Sequence, residues 1–306
     1  MITGFDIYHG DSDIVDWRTM SGLILSKNIY FAFIKASEGT HPDAKFNEFR
    51  RACDAGWIMT GPYHFFLPTV DIDRQIGVLA SQAGTLRAGD LPPSIDVEWT
   101  LIKDQNGQIK RPELWDQVTP RDRIAVLKKM LQGTERKFSI TPIVYTAASF
   151  WKEYIVQPNK DADLSFFSRY PLWLVDLSGS TAVPKPWTQA SVIQNHFGES
   201  APAHAPMYDK LDHDAFKGTA LELLSMCMPG KTFAASPDGP FVSLVRDVQA
   251  ILKSKGYYAG VPTGRFDDAT ALALRSFQSA AGLQATGVLD EMTWKKLLPL
   301  GEGVPA

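Results

Sequence analysis

The sequence predicts an irregular TIM-like (β/α) barrel followed by a small, separate all-α domain of three helices. Three observations lead there. Strand-like and helix-like runs alternate through the first two-thirds of the 306 residues, the pattern of a parallel sheet with right-handed crossovers. Acidic and other polar residues recur at the ends of successive strand-like runs, where barrels keep their working groups. From Pro229 to Pro240 the chain turns to Pro, Gly and Ser, and beyond it the hydrophobic period becomes helical. The expected division is therefore a barrel over 1–228, a linker over 229–240 and a second domain over 241–306.

The elements follow in order. Ile2–His9 reads as a strand ending in Asp6, Tyr8 and His9. A helix is expected from Asp16 to about Ser26. Tyr30–Lys35 is the next strand and runs into Ala36-Ser37-Glu38-Gly39-Thr40. Ala44–Ala55 is helical, with Gly56 as its C-cap. Ile58–Phe66 is a third strand, carrying Tyr63 and His64. Asp71–Ala88 places Ile72, Ile76, Leu79 and Ala83 at helical spacing. Thr119-Pro120 opens a helix to Arg136, with Thr as N-cap and Pro at the first helical position. Ile140–Tyr145, Pro171–Leu177 and Ser191–Phe197 are further strands, and Tyr208–Phe216 supplies an eighth. The last three strands have little helix between them, which makes the barrel irregular there. Two polar insertions, 103–118 and 157–170, sit where rim loops could shape a groove or simply be surface excursions. Past the linker, helices are expected over Phe241–Lys255 (Val245, Val248, Leu252), Asp268–Ala281 (Leu272, Leu274, Phe277) and Asp290–Leu298 (Met292, Trp294, Leu297). A domain this small has little room for a catalytic cleft and is better suited to binding.

Composition excludes several classes. A hydrophobic content of 44% and a charged content of 21% describe an ordinary globular protein. A net charge of -3 gives no reason to expect nucleic acid. Cys53 and Cys227 read as buried thiols rather than a disulfide scaffold. No apolar run reaches the ~20 residues of a membrane span, and Ile2–Tyr8 reads as a core strand rather than a signal peptide. Synthesis in the cytoplasm is expected, with release or export by other machinery if the substrate lies outside. No Cys/His cluster has zinc spacing and no Gly-rich loop suits phosphate, so no cofactor or metal is called for.

The chemistry centres on Pro92-Pro93-Ser94-Ile95-Asp96-Val97-Glu98-Trp99. Apolar and acidic residues alternate there, so Asp96 and Glu98 share one face of a strand, with backbones roughly 6.5–7 Å apart. Like charges on one face repel, and one carboxyl should keep its proton near neutral pH. An acid beside a carboxylate is what glycosidic cleavage requires. Asp6, Glu38, His64, Asp176 and Asp212 fall at the same end of other strands, which suggests a cleft.

Two resemblances become clear from the motifs. Gly4-Phe5-Asp6-Ile7 with Asp16-Trp17, Phe33-Ile34-Lys35-Ala36-Ser37-Glu38-Gly39-Thr40, Gly56 with Gly61-Pro62-Tyr63-His64-Phe65, Ile95-Asp96-Val97-Glu98, and Leu211-Asp212 before Phe216 occur in the order of a glycoside hydrolase family 25 lysozyme, the Chalaropsis-type muramidase. Any one of these is weak; together and in order they are specific. Residues 241–298 resemble the peptidoglycan-binding three-helix domain, through Val248-Gln249, Gly256-Tyr257-Tyr258, Gly264-Arg265-Phe266-Asp267, Phe277-Gln278, Gly282-Leu283, Thr286-Gly287 and Thr293-Trp294. The chain departs from the first pattern at Asp176-Leu177, where the family tends to His or aromatic residues, and at Ile193-Gln194-Asn195-His196, which lacks the usual Trp-Gln-Tyr.

The resemblance implies a muramidase cutting the β-1,4 bond from N-acetylmuramic acid to N-acetylglucosamine. It implies Glu98 as general acid and Asp96 as the carboxylate that stabilises an oxazolinium-like species. Asp6 and Asp212 would line the same pocket, with Tyr63, His64, Glu38 and Asp176 among the substrate-binding residues. Simpler readings stand beside these: Asp6 as a loop cap, Glu38 as a structural ion pair with Lys35, and His64 as a hydrogen-bonded core histidine. The competing functions are a non-catalytic peptidoglycan-binding protein and a chitinase-like glycosidase. The expected partner is bacterial peptidoglycan. A monomer is expected, serving as a phage endolysin freed by a holin or as a secreted antibacterial effector that would call for an immunity protein.

Overall fold

The computed structural model describes residues 2–17, 19–20, 29–55, 58–87, 90–104, 106–198, 201–202, 205–218, 222–223, 226–227, 242–264, 266–289 and 291–297. Most of the helix expected from Asp16, the Gly56 cap and the whole 229–240 linker lie outside these residues.

The N-terminal part runs β1 (Ile2–Ile7), β2 (Ile29–Glu38), β3 (His41–Pro42), α1 (Phe46–Ala55), β4 (Met59–Phe65), α2 (Ile72–Ala83), β5 (Ser94–Asp96), β6 (Ile102–Lys103), β7 (Ile109–Arg111), α3 (Pro120–Phe138), β8 (Ile143–Ala147), β9 (Leu172–Val175), β10 (Val192–His196) and β11 (Asp212–Phe216). Eight of these strands pair in the order β1-β11-β10-β9-β8-β5-β4-β2, and a β1–β2 pairing closes the ring. The barrel predicted from alternation is therefore present. It departs from an all-parallel sheet at one strand: β11 runs antiparallel to both β1 and β10. No crossover helix is seen between β10 and β11 among the described residues. A strand that follows its neighbour without a crossover returns in the opposite direction.

Alternation along each strand sorts side chains into two layers. Phe5, Ile7, Ala32, Ile34, Ile95, Val144 and Leu174 point outward, into a core shared with the surrounding helices. Phe31, Phe33, Met59, Tyr63, Ile143, Tyr145, Trp173, Val192 and Phe216 point inward and fill the barrel. A Cβ at Gly4 would run into the Phe31 ring, so glycine on β1 lets that ring fill the interior.

Helix α3 begins as its sequence predicts. Thr119 caps it, its Oγ1 accepting from the Asp122 N–H at 3.3 Å, with Pro120 in the first turn. Buried Arg123 donates Nε to the carbonyls of Trp115 and Val118, both at 3.0 Å, and Nη1 to that of Tyr154 at 3.2 Å. It thereby fastens the end of the first insertion to a π-helix over Trp151–Val156. That insertion is a two-stranded hairpin, β6–β7.

The C-terminal part contains α4 (Val242–Ser254), α5 (Asp268–Ala280) and α6 (Glu291–Leu297). Two buried glutamines tie its loops to its helices. Gln249 Oε1 accepts from the N–H groups of Thr263 and Gly264 at 2.8 and 2.9 Å, and its Nε2 donates to Thr270 Oγ1 at 2.8 Å. Gln278 does the same with the Gly287 N–H, the Val288 carbonyl and Thr293 Oγ1. Val248, Leu252, Leu274 and Phe277 are buried as expected. Leu272 is not: it is 62% exposed, because neighbouring Ala273 and Leu274 take the inward face. The Trp294 side chain lies outside the described residues. Among the described residues no helix is long and apolar enough to cross a membrane.

Candidate active site

The cleft opens at the rim formed by the C-terminal ends of the parallel strands. Its lining includes Asp6, Lys35, Tyr63, Asp96, Glu98 and Asp212, with Tyr145, Trp173 and Gln194 below them. Each parallel strand contributes through the inward parity that fills the barrel: Asp6 continues Ile2 and Gly4, Lys35 continues Phe31 and Phe33, and Tyr63 continues Met59 and Gly61. Asp212 reaches the same rim by the opposite route. It is the first residue of the antiparallel β11, paired in register with Asp6 at the end of β1.

The acid pair differs from its sequence-based picture in one respect. Strand β5 ends at Asp96, so Glu98 stands on the loop beyond it. The loop is nonetheless fixed: the Val97 N–H donates to the Tyr145 carbonyl at 2.9 Å, Thr146 Oγ1 donates to the Val97 carbonyl at 2.7 Å, and Trp115 Nε1 donates to the Glu98 carbonyl at 2.9 Å. Trp99, expected to continue the apolar face, is 38% exposed and packs edge-on against Phe150. The carboxyls of Asp96 and Glu98 lie side by side, each shifting the proton affinity of the other, and Asp96 Oδ1 is buried with no hydrogen-bond partner.

Burial and neighbouring charge hold protons in this cleft. Glu98 is pushed up to about 7, chiefly by burial, with Lys35 opposing and Asp212 adding to the rise. Asp96 is raised by burial and by Glu98. Asp6 is raised by burial, then by Asp214 and Asp212. Tyr63 and Tyr145 are held as neutral phenols, mainly by burial. Gln194 knits the far wall together. Its Oε1 accepts from the Tyr145 hydroxyl at 2.6 Å, and its Nε2 donates to Asp6 at 2.7 Å and Asp212 at 3.2 Å. The other Asp212 oxygen accepts from the Gly198 N–H at 2.7 Å.

Three residues expected to bind substrate are not among those lining the cleft. His64 is the outward neighbour of Tyr63 on β4, since adjacent strand residues face opposite ways. It is fully buried between Ser37 Oγ at 2.8 Å and Gln75 Oε1 at 3.0 Å. Burial lowers it to about 4, which marks a neutral core histidine. Asp176 has the outward parity of Leu172 and Leu174 and lies past the end of β9. Its Oδ1 accepts from the N–H groups of Ser180 and Thr181 at 3.2 and 3.0 Å, so it caps a turn. Glu38 stands outside the lining, ion-paired to Lys35 at 2.8 Å and to Arg111. Sequence reasoning did not pick out Tyr145, Trp173 or, as a site residue, Lys35, and met Gln194 only within the segment that departs from the family pattern. Their inward parity was the available signal, and it needs strand register to be read.

The raised acids bear on stability. A carboxyl whose folded pKa lies above its unfolded value stabilises below the unfolded pKa and loses that contribution as pH rises through the folded one. For Glu98 the window runs from 4.5 to about 7. His64 acts oppositely: depressed from 6.5 to about 4, it contributes above 6.5 and loses its contribution as pH falls toward 4. We expect the urea midpoint to fall between pH 5.5 and 8, and to fall less in Glu98→Gln. An equal fall in both would show that Glu98 is not the group titrating.

Comparison with known proteins bears on this geometry. The model of glycosyl hydrolases family 25 matches residues 5–196, more than half of the chain. The chain belongs to glycosyl hydrolases family 25. It is a peptidoglycan hydrolase with a second matched segment, the peptidoglycan binding domain, over residues 242–297. Similar solved structures include a muramidase from Trichobolus zukalii (21% identity, TM-score 0.60, covering 74% of this chain and 99% of that one). A bacterial lysozyme from Streptomyces coelicolor is 20% identical with a TM-score of 0.61, covering 74% and 96%. A muramidase from Acremonium alcalophilum is 22% identical with a TM-score of 0.58, covering 74% and 98%. At these identities the likeness is one of fold. No curated protein matches the chain. Within family 25 the barrel and its acid-lined rim take on a definite meaning, because glycoside hydrolysis is carried out by carboxyl pairs of this kind.

Proposed function

We propose that this family 25 enzyme is an N-acetylmuramidase cleaving the β-1,4 bond between N-acetylmuramic acid and N-acetylglucosamine. The observation that carries the reading is the contact between Asp96 and Glu98 inside an acid-lined, largely buried cleft. Inversion needs a separation of roughly 6.5–9.5 Å to seat a water between the carboxyls. Two carboxyls in contact leave no such room, which favours attack by the substrate's own acetamido oxygen. Glu98, protonated up to about pH 7, gives its proton to the leaving oxygen. Asp96 then accepts the acetamido N–H and stabilises the positive oxazolinium ring. Glu98, now a carboxylate, takes a proton from the water that opens it. Asp6 and Asp212, tied by Gln194, hold the sugar at the opposite wall of the cleft.

In this proposal the division at 228–241 separates cutting from holding, and the C-terminal domain keeps the barrel at the wall by raising its effective concentration. The protein works as a monomer that reaches the wall after release or delivery, as a phage endolysin or an antibacterial effector does. Reducing-end analysis of digested peptidoglycan tests the bond. Mass spectra are expected to show disaccharide-peptides ending in reducing N-acetylmuramic acid. Ends carrying N-acetylglucosamine would mean a different bond, and intact wall with bound protein would mean a binding protein. Faster cleavage of chitin oligomers than of peptidoglycan would favour a chitinase-like enzyme.

A further inference from the structure

The hairpin β6–β7 is inserted between the acid Glu98 and helix α3, and it is anchored back onto the cleft rim. Arg111, the last residue of β7, makes three contacts there. Its Nε donates to the Thr100 carbonyl at 2.6 Å, its Nη1 pairs with Glu38 Oε1, and its guanidinium lies 5.4 Å from the centre of the Phe65 ring. Glu38 turns its other oxygen to Lys35 Nζ at 2.8 Å. Lys35 Nζ lies 5.0 Å from the same Phe65 ring and 5.7 Å from Tyr8. Among the described residues that line the cleft, Lys35 is the one cation. Thr100, which receives Arg111, is itself held by Glu113 through its N–H at 2.9 Å and its hydroxyl at 2.7 Å.

We propose that Arg111 is a positioning residue for the hydrolysis: from the inserted hairpin it holds Glu38, and Glu38 holds the Lys35 ammonium beside the Asp96–Glu98 pair. The proposal rests on Glu98 being the general acid. Its physical content is a charge balance. Arg111, Glu38 and Lys35 together carry one net positive charge, and a cation near the pair favours its ionised form. The remaining titratable groups around the pair are Asp6 from β1, Tyr8 just beyond it, Tyr63 from β4, Tyr145 from β8, Asp212 from β11 and Glu113 from the hairpin's return. They are acids and phenols, so the Lys35 side supplies the opposing charge. Without Arg111, Glu38 is an anion balanced by Lys35 alone, and the pair holds its proton to higher pH. Without Glu38, Lys35 is unbalanced and the pair releases its proton at lower pH.

The test is the pH profile of kcat/KM on soluble peptidoglycan fragments, together with a carboxyl-carbon NMR titration of Glu98 in substrate-free protein. Arg111→Met is expected to move the alkaline limb up by about half a pH unit, and Glu38→Gln to move it down by about as much. Arg111→Lys keeps the charge and is expected to stay with wild type. The double variant Arg111→Met/Glu38→Gln leaves Lys35 alone, again one net positive charge, and is expected to bring the limb back toward wild type. Thermal melts check that each variant is folded. If Arg111→Met fails to fold, the downward shift of Glu38→Gln and the wild-type limb of Arg111→Lys carry the test. Limbs that stay put, or both single variants shifting the same way, overturn the proposal while the muramidase reading stands. A double variant that keeps the full downward shift of Glu38→Gln overturns it too, since Arg111 would then add nothing to the balance. If wild type cleaves nothing, the functional reading has failed, and the Glu98 titration still decides whether the three-residue chain sets that proton affinity.

Discussion

Glu98→Gln is expected to lower the turnover of peptidoglycan by about a thousandfold, within the range seen when a general acid is removed. The amide matches the carboxyl in shape but has no proton to give the leaving oxygen. The fold should survive, because the contact that fixes this loop is made by the Glu98 backbone carbonyl with Trp115, not by its side chain. Removing a group that burial raises to about 7 should also make the variant more stable than wild type at pH 8. Reducing-end release and far-UV circular dichroism, measured together, separate the two effects. A loss below tenfold with the fold intact would take the role of acid away from Glu98. A loss accompanied by unfolding would show a structural role instead.

Trp173→Ala is expected to cost about 3–5 kcal/mol of stability, the range for removing a large aromatic from a core. The indole is 2% exposed and stacks on Phe33 with ring centres 4.3 Å apart. It meets Tyr145 edge-on at 4.6 Å and Tyr63 at 6.3 Å. It thus supports two phenols of the cleft as well as filling the barrel. Its Nε1 donates to Asp214 Oδ1 at 2.7 Å, and Asp214 is a buried acid raised by that burial. Truncation would leave a cavity and a buried carboxyl without its donor, and the second loss adds to the first. Urea denaturation gives the size, and Trp173→Phe divides it by restoring most of the volume without the N–H. If Ala and Phe cost the same, the hydrogen bond to Asp214 is the dominant part. A cost under 1 kcal/mol for Ala would mean that the floor of the cleft collapses to fill the space.

How much could be read from the chain follows from parity and register. Asp96 and Glu98 could be found because their spacing alone places them on one side. Asp6 and Asp212 could be found as acids at the ends of apolar runs. His64 could not be told from Tyr63, because a strand one residue out of register exchanges inside for outside. Asp176 sits one step past β9, where a strand-end acid and a turn cap look alike in sequence. Gln194 and Tyr145 read as ordinary polar members of strands until the barrel closes and sets them against Asp6 and Asp212. The direction of β11 was hidden too, since a segment of a few residues has the same hydrophobic pattern whichever way it runs.

That closing strand has a consequence for the cell that makes the protein. Asp6 is reached by Gln194 from 188 residues further along the chain, and Asp212 comes later still, on the strand that seals the ring. During synthesis the first half of the cleft leaves the ribosome long before the second half exists. Early termination products, and fragments clipped before β11, hold the acid pair without its opposite wall and are expected to be inert toward the wall polymer. The cleft is therefore complete only once β11 has been made, a timing written into its topology.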